Sequence, residues 1–336
     1  MKTVLKHTLS TLTLLASSLS VAAQSLTPPT DAPYLTREGA IAIIGNDGMH
    51  DLMNNFNTLF TQQHPGFRFA LTAKGSSVGI PALTADATAI APLSREAWLG
   101  DMHGFEQVKG YVPLDIRIGY SGFGPRAPHK TPPAVYVNAA NPLPGLTLQD
   151  LARIITAGQP EGDLNTWGQV GIEHHAARRI HVYGLRDDGG FATNLRMDKL
   201  GGKPFSAQYE ALNSREAVID AVANDPYGIG LTGWVDASKT AKNVRVLPLA
   251  AKAGEPFRSP DYETVAAGAY PLSAFLHLYV DNPPGRKLPP FIKEYLRLAL
   301  SDEGQKAVRE QRDSEQGYVP LSAADLQAER HKLEGL

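Results

Sequence analysis

The chain has 336 residues, no cysteine, and 32 basic against 34 acidic side chains. Without cysteine it has no disulfide, thiol nucleophile or thiolate metal site, and the near balance of charge provides no basic face for nucleic acid. A chain of this length exceeds what one core usually supports, so two domains or lobes are expected.

Residues 1–23 read as a cleavable secretory signal. Lys2 and Lys6 give the basic start, 9–19 form a Leu/Thr/Ser-rich apolar middle, and Val21-Ala22-Ala23 supplies the small residues before a cut after Ala23. The apolar stretch is too short and too rich in hydroxyls to span a bilayer, and a lipoprotein anchor would need a cysteine at the cut. The expected mature chain is therefore periplasmic, with no membrane insertion. Loss of two lysines and no acid leaves it 30 basic and 34 acidic residues, a net charge of −4. An anionic ligand would have to be caught by local geometry rather than by a long-range field.

Residues 24–37, with Pro28, Pro29 and Pro33, read as a flexible leader. Strand and helix patterns then alternate: strand 40–44, helix 49–62, strand 67–71, short helix 78–83, strand 87–91 and strand 112–118. This alternation predicts an α/β fold with a largely parallel sheet. A Gly/Pro/basic stretch at 121–133 reads as a crossing between lobes. Strand 134–137, helix 148–155 capped by Thr147, strand 180–183, helices 190–200 and 214–222, and strands 229–232 and 244–247 follow. A loose polar segment at 251–269 is the second crossing, after which come strand 276–280 and helices 289–300 and 302–311. Two crossings around a compact middle block predict two lobes, 38–125 plus 270–325 and 132–250, with a C-terminal tail at 326–336. Ligands of such folds bind in the cleft between the lobes.

Three turns of this alternation carry glycines where a strand pattern gives way to a helix pattern. They are Gly45-Asn46-Asp47-Gly48-Met49, Lys74-Gly75-Ser76-Ser77-Val78-Gly79 and Arg186-Asp187-Asp188-Gly189-Gly190. Glycine allows close backbone approach, and the free N–H groups and dipole of a helix start favour an anion. Three such turns suggest one anion held by several helix starts. Each has a plainer reading too: Asn46 or Asp47 as a cap, Ser76 and Ser77 as caps, Arg186 with its neighbouring aspartates as a surface ion-pair cluster.

The order and spacing of these turns, with Ala91-Pro92-Leu93-Ser94-Arg95, Asn141-Pro142-Leu143, Asn165-Thr166-Trp167, Tyr270-Pro271-Leu272-Ser273 and Gly317-Tyr318-Val319-Pro320-Leu321, resemble the periplasmic phosphate-binding proteins of ABC transporters. The resemblance covers most of 38–322 and implies the type II solute-binding fold. It also implies inorganic phosphate or a similar oxyanion as ligand, an ABC permease as partner, and no enzymatic activity or cofactor. By position it implies ligand roles for Asp47, Gly48, Met49, Ser76, Ser77, Ser94, Arg95, Arg186, Gly189 and Gly190, with Arg186 as the main cation and Asp188 orienting it. Asp47 either caps or accepts the proton of a monohydrogen oxyanion.

The chain departs from the family pattern at Gly48, where a hydroxyl residue is common, and at Gly190-Phe191-Ala192, where Ser-Gly-Thr is usual. These lost hydroxyls favour an alternative role in signalling or partner binding. Metal binding is not expected. Glu173-His174-His175 places adjacent histidines on diverging directions, and no HExxH or Walker loop occurs.

Overall fold

A computed structural model describes residues 26–124, 126, 130–187, 190–234 and 242–336. The expected signal segment and the loop positions Asp188 and Gly189 lie outside these residues. In chain order the elements that frame the cleft are β1 (Ile41–Gly45), α1 (His50–Gln63), β2 (Phe69–Ala73), α2 (Gly79–Thr84), β3 (Ala91–Leu93), α3 (Leu99–Lys109) and β4 (Leu114–Tyr120). There follow β5 (Lys130–Asn138), β6 (Leu146–Thr147), α4 (Leu148–Ile155), β7 (His181–Leu185), α5 (Gly190–Lys199) and β8 (Tyr209–Leu212). The last are α6 (Arg215–Asn224), β9 (Gly228–Trp234), β10 (Val244–Leu247), β11 (Leu249–Ala250) and β12 (Phe275–Val280).

The first lobe is built on β1, which pairs in parallel with β2, Ile43 lying opposite Leu71. Its other edge meets the start of β3 through a parallel bridge between Ile43 and Ile90, and Asn46 N–H donates to Pro92 O at 2.8 Å. Beyond β3 lies β12, antiparallel both to it and to β4. The strand contributed by the far end of the chain thus sits inside the sheet begun by the first 120 residues. Helix α1 turns Leu52, Met53, Phe56 and Phe60 to this sheet at the helical period, and all four are fully buried. Phe60 meets Phe67 and Phe69 edge-on, and Tyr295 closes the cluster, with its hydroxyl donating to Asn57 Oδ1 at 2.8 Å. Each such ring contributes about 1.5–3 kcal/mol by leaving water.

The second lobe is a five-stranded sheet in the order β10-β5-β9-β7-β8. Strand β5 is antiparallel to both its neighbours, whereas β7 runs parallel to β8 and β9. Pro132 and Pro133 cannot donate to a ladder, and the register of β5 against β9 shifts between Lys130 and Ala134. The chain passes from one sheet to the other after Tyr120 and returns between Ala250 and Phe275. The architecture is two-lobed α/β with two crossings.

Several expectations change in detail. The strand expected at 87–91 is β3, which begins four residues later and ends two later; Thr88, before it, bonds Ala42 O and Ile90 O through its hydroxyl. The second crossing contains a short helix, Tyr262–Ala266, capped by Asp261. Residues 326–336, expected as a tail, form most of a packed helix, Ala323–Glu334. Within it Leu333 and Glu329 are buried, Arg117 Nε donates to Glu329 Oε1 at 2.5 Å, and Tyr120 donates to Asp325 at 2.6 Å. No helix among the described residues is long and apolar enough to cross a membrane.

Candidate ligand-binding cleft

The ends of β1, β2 and β3 form the first wall of an inter-lobe cavity of about 390 Å³. Glycine is needed at 45 because a Cβ there would stand 2.2 Å from Pro92 O, so the end of β1 lies directly against β3. The next residue, Asn46, caps the following turn by accepting from Met49 N at 3.1 Å. Its amide Nδ2 donates to Ser76 Oγ at 2.9 Å, and Ser94 N–H donates to the same oxygen at 3.3 Å. A hydroxyl has two acceptor positions and one proton. With both acceptor positions filled from the protein side, the Ser76 proton is left to be given away. Gly75, at φ 111°, takes the backbone angle that brings Ser76 to this point.

The loop after β3 adds charge. Arg95 lies over the Trp98 ring, 4.2 Å from its centroid, and donates to Glu96 O at 2.8 Å. Burial lowers its pKa, against the opposing pull of Asp101, Tyr279 and Asp198. Glu96 Oε1 stands 3.3 Å from Nε2 of His277, whose Nδ1 lies 2.8 Å from Asp115 Oδ1. The imidazole is fully buried. Burial opposes its charge, but the hydrogen bonds and charges of Asp115 and Glu96 prevail and raise its pKa to about 9. Glu96, Asp115 and His277 are the one group of potential metal ligands of this kind among the described residues. The two carboxylates occupy opposite ring nitrogens, so their lone pairs and that of the ring do not converge on one ion. The arrangement is that of an imidazolium clasped between two acids, and it fixes Glu96 at the cleft.

Helices α5 and α6 form the opposite wall. Phe191, Asn194, Leu195 and Asp198 recur at the helical i, i+3, i+4, i+7 spacing and face the cavity together with Lys199. Burial lowers the pKa of Lys199, against the opposing Glu96 and Asp198. Desolvation at the wall, with Glu96 nearby, pushes the Asp198 carboxyl up to about 6, although much of that side chain still meets solvent. Arg215, first in α6 after the Ser214 cap, has its pKa lowered by burial and lies 5.8 Å from the Phe191 centroid. The lobes touch: Trp98 Cζ2 is 3.0 Å from where a Cβ on Gly190 would stand. Three cations and two carboxylates, all at least partly desolvated, thus face a space bounded by serine hydroxyls and amide groups.

Of the residues expected at the site, Ser76, Ser77, Ser94, Arg95 and Gly190 line this cavity. Asp47, Gly48 and Met49 do not. Asp47 is exposed, Met49 is fully buried, and a Cβ on Gly48 would come within 2.7 Å of Gln316 Oε1. Their neighbour Asn46 lines it instead. Arg186 is exposed and lines a second cavity of about 350 Å³, which shares Gly190, Phe191 and Arg215 with the first. Phe191 and Arg215 therefore stand between Arg186 and the main space. Sequence reasoning missed Glu96, Trp98, Asp198, Lys199 and Arg215. The periodic face of α5 was the available signal for Asp198, whereas nothing local marks Arg215.

Two α/β lobes, crossed twice and enclosing a cleft at the strand ends, define a solute-binding architecture. Residues 32–303 match the PBP superfamily domain, and the chain belongs to that superfamily. It is 28% identical over 327 residues to the phosphate-binding protein PstS of Pseudomonas aeruginosa, covering 95% of this chain and 96% of that protein. Identity to the phosphate-binding protein PstS of Bacillus subtilis is 22% over 288 residues, 84% of this chain and 81% of the other. Among solved structures, PstS from Borrelia burgdorferi aligns with a TM-score of 0.55 at 18% identity, over 84% of this chain and 99% of that one. An ABC-type phosphate transport receptor from Vibrio cholerae aligns with a TM-score of 0.52 at 20% identity, over 84% and 99%. At such identities these structures establish likeness of fold.

Proposed function

We propose that this chain is a periplasmic solute-binding protein that captures phosphate, or a similar tetrahedral oxyanion, between its lobes and presents it to an ABC permease. One observation carries the reading: a serine hydroxyl fixed as a proton donor faces the same cavity as Arg95, Lys199 and Arg215. A buried anion is costly unless cations and several N–H or O–H donors meet it, and this cavity offers both. The phosphate-binding relatives, matched along nearly the whole chain, support the same ligand class. In this reading Asn46, Ser76, Ser77, Ser94 and Arg95 hold the anion from the first lobe, and Lys199 and Arg215 from the second.

Export through residues 1–23 with a cut after Ala23, and release without a lipid anchor, complete the reading. So do lobe limits of 38–125 plus 270–325 and 132–250. The reading is of a protein that binds, as the phosphate-binding relatives do, and does not turn over its ligand. The test is titration calorimetry of the mature protein with phosphate, sulfate and arsenate. Phosphate is expected to bind at least about tenfold more tightly than sulfate, a difference of some 1.4 kcal/mol. Absence of heat with every anion, confirmed by an unshifted melting temperature, would refute the reading.

A further inference from the structure

We propose that the favoured ligand of the cleft is not the bare anion but a phosphoryl group carrying a small apolar substituent, a phosphate monoester or a phosphonate. The inference rests on the oxyanion reading of the same site and specifies its ligand class. Size is the first observation. A tetrahedral oxyanion has five heavy atoms and displaces the space of about two or three waters, on the order of 100 Å³ or less. The cavity measures about 390 Å³, within the roughly 300–1,000 Å³ that suits small organic ligands.

The second observation is the lining. Beside the polar groups stand Trp98, Phe191, Leu195, Leu272, Ala274 and Pro133. An inorganic anion gains nothing from apolar walls and loses water to them, whereas an apolar substituent is stabilised by the same walls. Phe191 is the informative residue. It lies in the first turn of α5, between the two positions where the family pattern carries hydroxyls, and presents a carbon surface to the cavity.

Titration calorimetry with inorganic phosphate, phenyl phosphate and phenylphosphonate tests the proposal. At least one substituted ligand is expected to bind about tenfold or more tighter than inorganic phosphate, a fraction of what burying a ring's apolar area supplies. Phe191→Ala should remove most of that advantage while changing inorganic phosphate affinity less than about twofold. Ala274→Met, which fills the space meant for the substituent, should do the same without opening the wall. Inorganic phosphate binding as tightly as both organic ligands would overturn the proposal and leave the oxyanion reading intact. So would variants that weaken all three ligands equally. Failure of all three to bind the wild-type protein would instead remove the oxyanion reading, and this inference with it.

Discussion

The two walls of the cleft solve different halves of one problem. On the first lobe the polar groups are already joined to one another. Asn46 and Ser94 fix the Ser76 hydroxyl, and Asp115 and His277 fix Glu96. On the second lobe Lys199 and Arg215 are charged groups whose pKa values burial has lowered. The first wall supplies directions and one partly desolvated cation, Arg95, and the second supplies two more, Lys199 and Arg215. Direction comes from short polar contacts among strand ends, which a closed lobe can set alone.

That contrast is most exposed to failure at the arginines. The pair Arg95→Ala and Arg215→Ala should weaken phosphate binding more than about hundredfold, each charged donor contributing roughly 1.5–3 kcal/mol. The melting temperature of the empty protein should fall only modestly, because a partly desolvated cation is removed at each position, at Arg95 together with its contacts to Trp98 and Glu96 O. Arg186→Ala, altering the neighbouring cavity, should change affinity less than about threefold, on the scale of an exposed ion pair. An Arg186 effect as large as that of Arg215 would return the main cation to the loop after β7.

The second wager concerns the wiring of the first wall and reads out in pH. His277 has a folded-state pKa of about 9, above the roughly 6.5 of the unfolded chain. Its contribution is therefore fully present below about pH 6.5 and is lost as pH rises through 9, up to about 3 kcal/mol. Stability from chemical denaturation should decline over that window, and His277→Gln should flatten the decline. A wild-type curve level from pH 6.5 to 9.5 would mean that the imidazole is buried neutral and does not fix Glu96 by charge.

A smaller loss than that of the arginine pair is expected at Ser76. Ser76→Ala should cost about tenfold in anion affinity and about 1–2 kcal/mol in stability, since Asn46 Nδ2 and Ser94 N–H lose their shared acceptor. Asp47→Asn, exposed and outside the cavity, should alter affinity less than about twofold. Calorimetry and urea melts on both variants decide the matter. If Asp47→Asn erodes discrimination between phosphate and sulfate, the aspartate reaches the ligand despite its place on the surface.

Much of this fold was legible because local signals agreed. Thr147 before an apolar-periodic run gave helix Leu148–Ile155 with its cap, and alternating β-branched residues gave Val244–Leu247. Helix Leu99–Lys109 escaped because it contains Gly100 and Gly104 and buries only Phe105. Helix Ala323–Glu334 escaped because its buried face includes a glutamate, Glu329, matched by Arg117 some 200 residues away in sequence. The first wall was half legible, since serines and glycines at strand ends announce themselves. The second was not. Arg215 acquires its role from the meeting of α6 with α5, and His277 acquires its charge from Asp115, 162 residues distant. Such roles are made by tertiary contact and leave no local trace.

The stacking of Arg95 on Trp98 has an optical consequence. Indole emission responds to charge and water near the ring, and this ring stands at the cavity with a guanidinium against its face. Trp167, by contrast, is fully buried in the second lobe, with its N–H donating to Tyr227 O at 3.2 Å. Filling the cavity disturbs the first indole and leaves the second in place. The protein therefore carries a fluorescent gauge of occupancy in Trp98, and comparison with Trp98→Phe would separate its signal from those of Trp167 and Trp234.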